Sequence, residues 1–530
     1  MRGLFHITLA GLIAAGIATA PARAETVLRT EETAPGELDP ARVSKYSDGM
    51  LAFNVYDALV LPGAGTAQIE PLLAESWTVE GQVYTFKLRP DAKFHSGNRV
   101  TADDVIFSLN RMATMGTGFS FLFRNRVETA EAVDARTVRF TLKSPFAPFL
   151  ANMARLPILD SKLVMANKKD GQYGAFGDYG QEWLMAHDAG SGAYRIESHN
   201  PQELSVMVKN KDYVLGVPDA APDVVRLRYG LDAATIRAMI SRGELDIASQ
   251  WMAPEVKRAL SSQPGMRLVN EYGLGQFYIQ MNTKKAPLDD VHCRRALAYA
   301  FDYNAALSLL TINKTTVAGK PSRGPLPDGA MGADPNAPVF AQDMDKARAE
   351  QAQCKYKAAD SKLEISWIAV VAIEERFGLI MQQSFAALGY PSDVVRLPYP
   401  LYTDRASKAE TTPHFSQIYV NSITPDPDAV IYNMYHSQVA GTWQATSWLL
   451  NPEVDALLDK GRNTVDPAAR ATIYNDVRQK IIDLQPTIYG FQNVALFVAR
   501  DTVDIPALQD PAKMRHVNAA NFMFRQMLMK

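Results

Sequence analysis

The chain has 530 residues, 47% of them hydrophobic and 21% charged, with a formal net charge of −2 at pH 7, the balance of an ordinary globular protein large enough for two or three domains. So even a charge offers no field for nucleic acid or an anionic membrane surface. Two cysteines, Cys293 and Cys354, are too few for a disulfide scaffold, a zinc site or a redox motif.

The first element in chain order is a targeting segment. Arg2 precedes an apolar stretch from Leu4 to Ala18, and Ala22-Arg23-Ala24 follows. Small residues at the first and third positions before a break are what signal peptidase accepts, so residues 1–24 read as a cleaved secretory signal peptide. No cysteine stands at the break to take a lipid, which points to release into a Gram-negative periplasm. Beyond this segment no run of about 18 apolar residues could cross a bilayer.

The body of the chain alternates strand and helix patterns without a long linker or an internal repeat. Tyr84, Phe86 and Leu88 alternate with Thr85, Lys87 and Arg89, the period of a strand with one buried face. Thr101 and Asp104 form a capping box before Val105, Leu109 and Met112 at helical spacing. The segment 137–142 alternates again, and 193–210 reads as two strands joined at His199-Asn200-Pro201. Residues 232–243 predict a helix with Ile236, Met239 and Ile240 on one face, then a short strand through Leu245 and Ile247. Similar units follow at 288–302, where Cys293 falls on the apolar face of a helix, and at 362–397, strand then helix then strand. This alternation predicts α/β lobes with largely parallel sheets. An oxidising compartment permits a bridge between Cys293 and Cys354; two separate buried thiols are the alternative.

Signatures of catalysis and metal binding are missing from the sequence. There is no G-x-S-x-G, H-E-x-x-H or phosphate-binding loop, and no two histidines stand three or four residues apart to grip a metal. Adjacent acids such as Glu374-Glu375 and Asp289-Asp290 project differently from a helix and do not make an acid/base pair. A non-catalytic protein without cofactor is expected, with a periplasmic hydrolase as the rival class.

The stretch from Leu73 to Met112, together with GELDPARVSKYSDGMLAFNVYDALV, GSGAYRIES, FYIQMNTKKAPLDDVHCRRALAYAFD and PDPDAVIYNMYHS, resembles the family 5 extracytoplasmic solute-binding proteins of ABC importers. The resemblance implies an α/β, two-lobed periplasmic binding protein, hinged in the Venus-flytrap manner, with an additional β-rich subdomain in lobe one. Lobe one would take residues 25–272, with the extra sheet at about 60–190, and residues 487–530; lobe two would take 273–486. It further implies a monomer that captures a peptide or small molecule and hands it to an ABC permease and its ATPase, with a sensor or chaperone using the same closing motion as an alternative role.

The cleft residues expected from the resemblance are Glu32 and Thr33 on the first loop, Gln250 and Trp251, Tyr272 and Gln276 at the first crossing, and Tyr399, Tyr402 and Trp443 in lobe two. The loop Asn421, Ile423 and Asp426 completes the set. Peptide-binding members carry a Trp and, three residues on, an Asp that pairs with the peptide ammonium. Counting back from Pro427, those positions hold Val420 and Ile423. A buried ammonium without a carboxylate is costly, so a non-peptide conjugate, a sugar, an opine or a metal chelate is expected unless Asp426 or Asp428 substitutes. Asp91, Lys93, His95 and Gly97, in the strongest motif, read as turn residues and not as ligands.

Overall fold

The computed structural model describes residues 25–32, 37–43, 45–65, 68–369, 371 and 373–530; the expected signal segment and Thr33 lie outside them. The architecture is organised by one eleven-stranded sheet. Its strands run in the order Ser392–Leu397, Leu363–Ile368, Phe415–Asn421, Met266–Met281, Thr487–Arg500, Ile247–Ala248, Val27–Glu32, Val224–Tyr229, Leu204–Lys209 and Tyr194–Asn200, with Gly319–Pro321 added against Thr487–Arg500.

Two long strands, Met266–Met281 and Thr487–Arg500, join the two halves of the sheet. They pair antiparallel from Met266 with Arg500 to Gln280 with Thr487, and the register breaks between Glu271 and Gly275. On one side of that break Met266 to Glu271 pair with Ala495 to Arg500; on the other, Gly275 to Gln280 pair with Thr487 to Asn493. Parallel pairs stand on both sides of these two strands, Val27–Glu32 with Val224–Tyr229 and with Ile247, and Leu363–Ile368 with its neighbours on either side. The outer strand Leu204–Lys209 is antiparallel to both of its neighbours.

The expectation of largely parallel sheets is therefore corrected to a mixed sheet. A chain that passes from one half to the other and back must lay its two crossing segments in opposite directions, and the strands beside them follow suit. Separate apolar cores fill each half. One gathers Leu28, Leu51, Leu227, Ile247 and Phe497, and another Phe277, Leu297, Ile365, Phe377 and Phe491.

A second, four-stranded antiparallel sheet is inserted near the N-terminus, in the order Ala74–Glu80, Val83–Leu88, Thr137–Leu142, Val127–Asp134. Tyr84, Phe86 and Leu88 turn inward onto helix Ala102–Met115, as their alternation requires. That helix starts at the Thr101/Asp104 capping box and stops at Gly116, whose φ of 68° suits glycine. Its Arg111 grips both carboxylate oxygens of Asp39 at 2.7 Å, tying the subdomain to the N-terminal segment.

The turn at 91–97 carries more than turn chemistry. His95 sits 2.6 Å from Asp188 and 2.9 Å from the carbonyl of Gly192, buried, so this loop is clamped to residues 188–192. Cys293 and Cys354 are bonded to each other. The bridge joins helix Val291–Ala300 to the residues after helix Met344–Gln351.

Candidate functional site

In open α/β sheets ligands meet the carboxyl ends of parallel strands. Here those ends bring Glu31 and Glu32, Tyr229, and Ser249 to Trp251 together beside the register break at Glu271. Glu32 is buried and accepts the indole N–H of Trp251 at 2.8 Å. Trp251 is itself 51% exposed. Its ring meets the edge of Tyr46 at 6.2 Å between centroids.

Tyr46 donates its hydroxyl to Glu271 at 3.1 Å, and Asn521 donates to the other oxygen of Glu271 at 2.7 Å. Burial pushes the Glu271 carboxyl up to about 7 against these two hydrogen bonds. Burial also raises Glu31, whose Oε1 accepts from Ser249 N at 2.6 Å. Glu31 Oε2 and Ser249 Oγ are both buried, and the Ser249 hydroxyl joins its backbone N–H in opposing the rise of the Glu31 carboxyl.

Across the break, Tyr272 is partly buried and accepts from Asn270 Nδ2 at 2.7 Å, with the Lys320 ammonium 5.9 Å from its ring centroid. Lys320 is in turn held by Asp328 at 2.8 Å. Gln276 is engaged at both ends by the 322–324 loop: it donates to Gly324 O at 2.8 Å and accepts from Ser322 Oγ at 2.9 Å. Asn421 pairs with Gly275, where a Cβ would lie 2.3 Å from Asn421 Oδ1, so this approach requires glycine. That Oδ1 and Thr424 Oγ1 are buried without a hydrogen-bond partner among the described residues.

The loop after Asn421 faces the inserted subdomain. Ile423 packs against the subdomain core, and its carbonyl accepts from Arg155 Nε. Asp426 gives both oxygens to Arg470 at 2.7 and 3.0 Å, and Asp428 gives both of its own to Arg462 at 2.9 Å. A buried carboxylate already paired bidentately with a guanidinium has its charge matched, so it offers no free counter-charge for a ligand ammonium. A cavity beside this loop is lined by Asp328, Gly329, Ser422, Thr424 and His516.

Tyr399, Tyr402 and Trp443 form a separate group. Tyr402 is 1% exposed and donates to Trp443 O at 2.9 Å; Tyr399 is 43% exposed and lies 6.4 Å from the Tyr402 ring. Gln250 is partly exposed in the turn before Trp251. Of the residues expected from the sequence, Glu32 and Trp251 are brought together here, and Glu31, Tyr46, Glu271 and Asn521, which the sequence reading did not single out, stand beside them or in the same strand. Glu31 could have been found from a glutamate pair closing the strand VLRTEE; the others come from segments more than 200 residues apart. Among the described residues the one trio of potential metal ligands is Asp290, Cys293 and Cys354, and both sulfurs belong to the disulfide.

Residues 68–442 match the family model for bacterial extracellular solute-binding proteins, family 5, middle region. The chain is 28% identical over 477 residues to the probable D,D-dipeptide-binding periplasmic protein of Escherichia coli K12, covering 86% of each. It is 27% identical to di/tripeptide-binding protein 2 of Pseudomonas aeruginosa, covering 92% of this chain and 93% of that one. Among solved structures, HbpA2 of Haemophilus parasuis superposes with a TM-score of 0.79 at 24% identity, over 95% of this chain and all of the other, a likeness of fold.

Proposed function

The chain belongs to the family 5 bacterial extracellular solute-binding proteins, the substrate-binding components of ABC importers, and on that premise we propose how it takes its ligand. The mature protein, released into the periplasm after cleavage behind Ala24, works as a monomer that holds one small solute between its lobes and presents the closed form to a membrane permease. Lobe one comprises residues 25–272 and 487–530 and lobe two residues 273–486. Contacts made to both lobes favour the closed state by their differential affinity.

The observation that carries this reading is the join itself. Two antiparallel strands cross between the halves, and the break in their register at Glu271–Gly275 is flanked by half-buried aromatic and unsatisfied polar groups. Glu32, Thr33, Gln250, Trp251 and Tyr272 would present the lobe-one wall. Gln276, Asn421, Ile423, Asp426, Tyr399, Tyr402 and Trp443 belong to the lobe-two side, where Gln276, Asp426 and Tyr402 act by holding the wall in shape through the bonds described above.

The Escherichia coli and Pseudomonas aeruginosa relatives bind peptides by their names. For this chain the apolar Ile423 and the commitment of Asp426 to Arg470 favour a ligand that is not anchored there by a free ammonium, such as a conjugate, an opine, a sugar or a chelate. A thermal-shift screen of the mature protein across those classes and short peptides tests the reading, since a ligand that binds only the folded state raises stability by RT ln(1 + [L]/Kd). A shift with a non-peptide is expected; shifts confined to free-N-terminal peptides would refute the ligand assignment.

A further inference from the structure

We propose that His95 and Asp188 form a proton-held clamp: the His95 ring carries hydrogen on both nitrogens at neutral pH, and loss of one of them in alkaline solution frees the turn at 91–97 from residues 188–196. The clamp lies outside the candidate cleft and stands independently of the ligand.

The geometry fixes how many protons the ring needs. Nδ1 lies 2.6 Å from Asp188 Oδ1, and Nε2 lies 2.9 Å from Gly192 O. A backbone carbonyl only accepts, so Nε2 carries hydrogen. Asp188 already accepts from the amides of Gly190 at 3.2 Å and Ile196 at 2.8 Å, which favour its ionised form. An ionised carboxylate cannot donate, so Nδ1 carries hydrogen as well and the ring is an imidazolium. His414 shows the opposite arrangement. The amide of Glu364 donates to its Nδ1 at 3.1 Å while its Nε2 faces Ala286 O at 3.1 Å. One donor and one acceptor suit a neutral ring, and burial pushes this histidine down to about 4.

The charges around His95 agree with this count. The side chains of the pair are 8% and 7% exposed. Burial of the ring opposes its charge most, but the hydrogen bond and charge of Asp188, the Gly192 carbonyl and the charge of Asp57 together outweigh it, so His95 titrates above the usual 6.5. Asp57 is held by the Tyr213 hydroxyl at 2.9 Å and Ser191 Oγ at 3.1 Å, and burial pushes it up to about 6, so it is charged above that pH. Tyr56, also close to Asp188, keeps its proton because burial raises it. Asp160 is taken by Ser96 Oγ at 2.5 Å and Asn98 Nδ2 at 2.8 Å. Of the nearby basic groups, Arg111 is bound to Asp39 and Arg525 acts on Asp57, while His187 stacks on Trp183 at the surface.

The pair joins two parts of the fold. The turn connects strand Val83–Leu88 to helix Ala102–Met115 in the inserted subdomain, and residues 188–196 run into Tyr194–Asn200, an edge strand of the eleven-stranded sheet. A neutral ring keeping hydrogen on Nε2 turns a lone pair toward Asp188; one keeping it on Nδ1 turns a lone pair toward Gly192 O. Either tautomer leaves two buried acceptors facing each other, which is costly. Because the folded protein holds this proton more tightly than the unfolded chain, the clamp contributes fully below about 6.5 and is lost as pH rises through the higher folded value.

Two measurements test the clamp. NMR of the imidazole nitrogens, in protein labelled at histidine, should show both His95 nitrogens protonated at pH 7 and only one of His414. In Asp188→Asn the amide can donate to Nδ1 while its oxygen still accepts from Ile196 N, so His95 should there be neutral with hydrogen on Nε2. Hydrogen exchange reads the consequence at the His95 amide, which donates to Gly190 O at 2.8 Å. Its protection in the parent should fall by about tenfold per pH unit above 6.5 until the proton is lost, and should show no such fall in Asp188→Asn. A single ring hydrogen on His95 at pH 7 in the parent would overturn the imidazolium, a reading that needs no variant. Protection independent of pH in the parent, or the same fall in both proteins, would overturn the clamp.

Discussion

Side chains of one chemical type divide here by what surrounds them. Tyr399 and Tyr402 stack on each other, yet Tyr402 is buried with its hydroxyl on Trp443 O while Tyr399 stands 43% exposed. Tyr402→Ala should therefore cost about 3–5 kcal/mol of stability, and Tyr399→Ala should leave the Tm unchanged within about a degree while weakening ligand binding; denaturation curves of the two variants check this. Glu374 is a buried acid pushed up to about 8 by desolvation, its Oε2 accepting from Ile368 N. Because the folded protein holds this proton at pH values where the unfolded chain, near 4.5, has released it, stability is present at acid pH and is lost as pH rises from about 4.5 to about 8. Glu374→Gln removes that loss. Tm measured across this window should converge for the two proteins at the acid end and diverge at the alkaline end, with the variant higher; parallel curves would contradict the burial of the charge.

Secondary-structure elements were legible wherever one face alone is buried. The capping box, the period-two strand at Val83–Leu88 and the helix stopped at Gly243 follow from local spacing and local hydrogen bonds. The crossing strand Met266–Met281 was not legible as a sixteen-residue unit, because both of its faces are covered and its interior carries Glu271, Gly275 and Gln276 in place of an alternation. The same limit hid the site: Asp426 reads locally as turn chemistry, and only the fold brings Arg470 from the helix Pro467–Leu484 onto it. The disulfide belongs to this scale too. It closes a segment of 61 residues and joins helix Val291–Ala300 to the residues just after helix Met344–Gln351, neither of which carries a candidate cleft residue. Replacing both cysteines by serine should lower stability by about 2–4 kcal/mol and leave ligand affinity unchanged within twofold, which calorimetry on the variant would show.

At the scale of the whole molecule, two lobes meet across a sheet that is continuous only through its two crossing strands. Arg155, carried by the inserted subdomain, donates to Ile423 O in the loop after strand Phe415–Asn421 and to Asn518 O near the C-terminus, with the Phe53 and Phe119 rings within 5.0 Å of its guanidinium. Such a contact exists only when the subdomain and that loop are apposed, so Arg155→Met should shift the unliganded protein toward an open form and weaken every ligand by the same factor. The central claim, that this chain closes on a solute held between its lobes, is tested most directly by small-angle scattering of the mature protein, free and saturated with the solute that raises its Tm most. The account predicts a smaller radius of gyration in the saturated protein. An unchanged radius at saturation would contradict it.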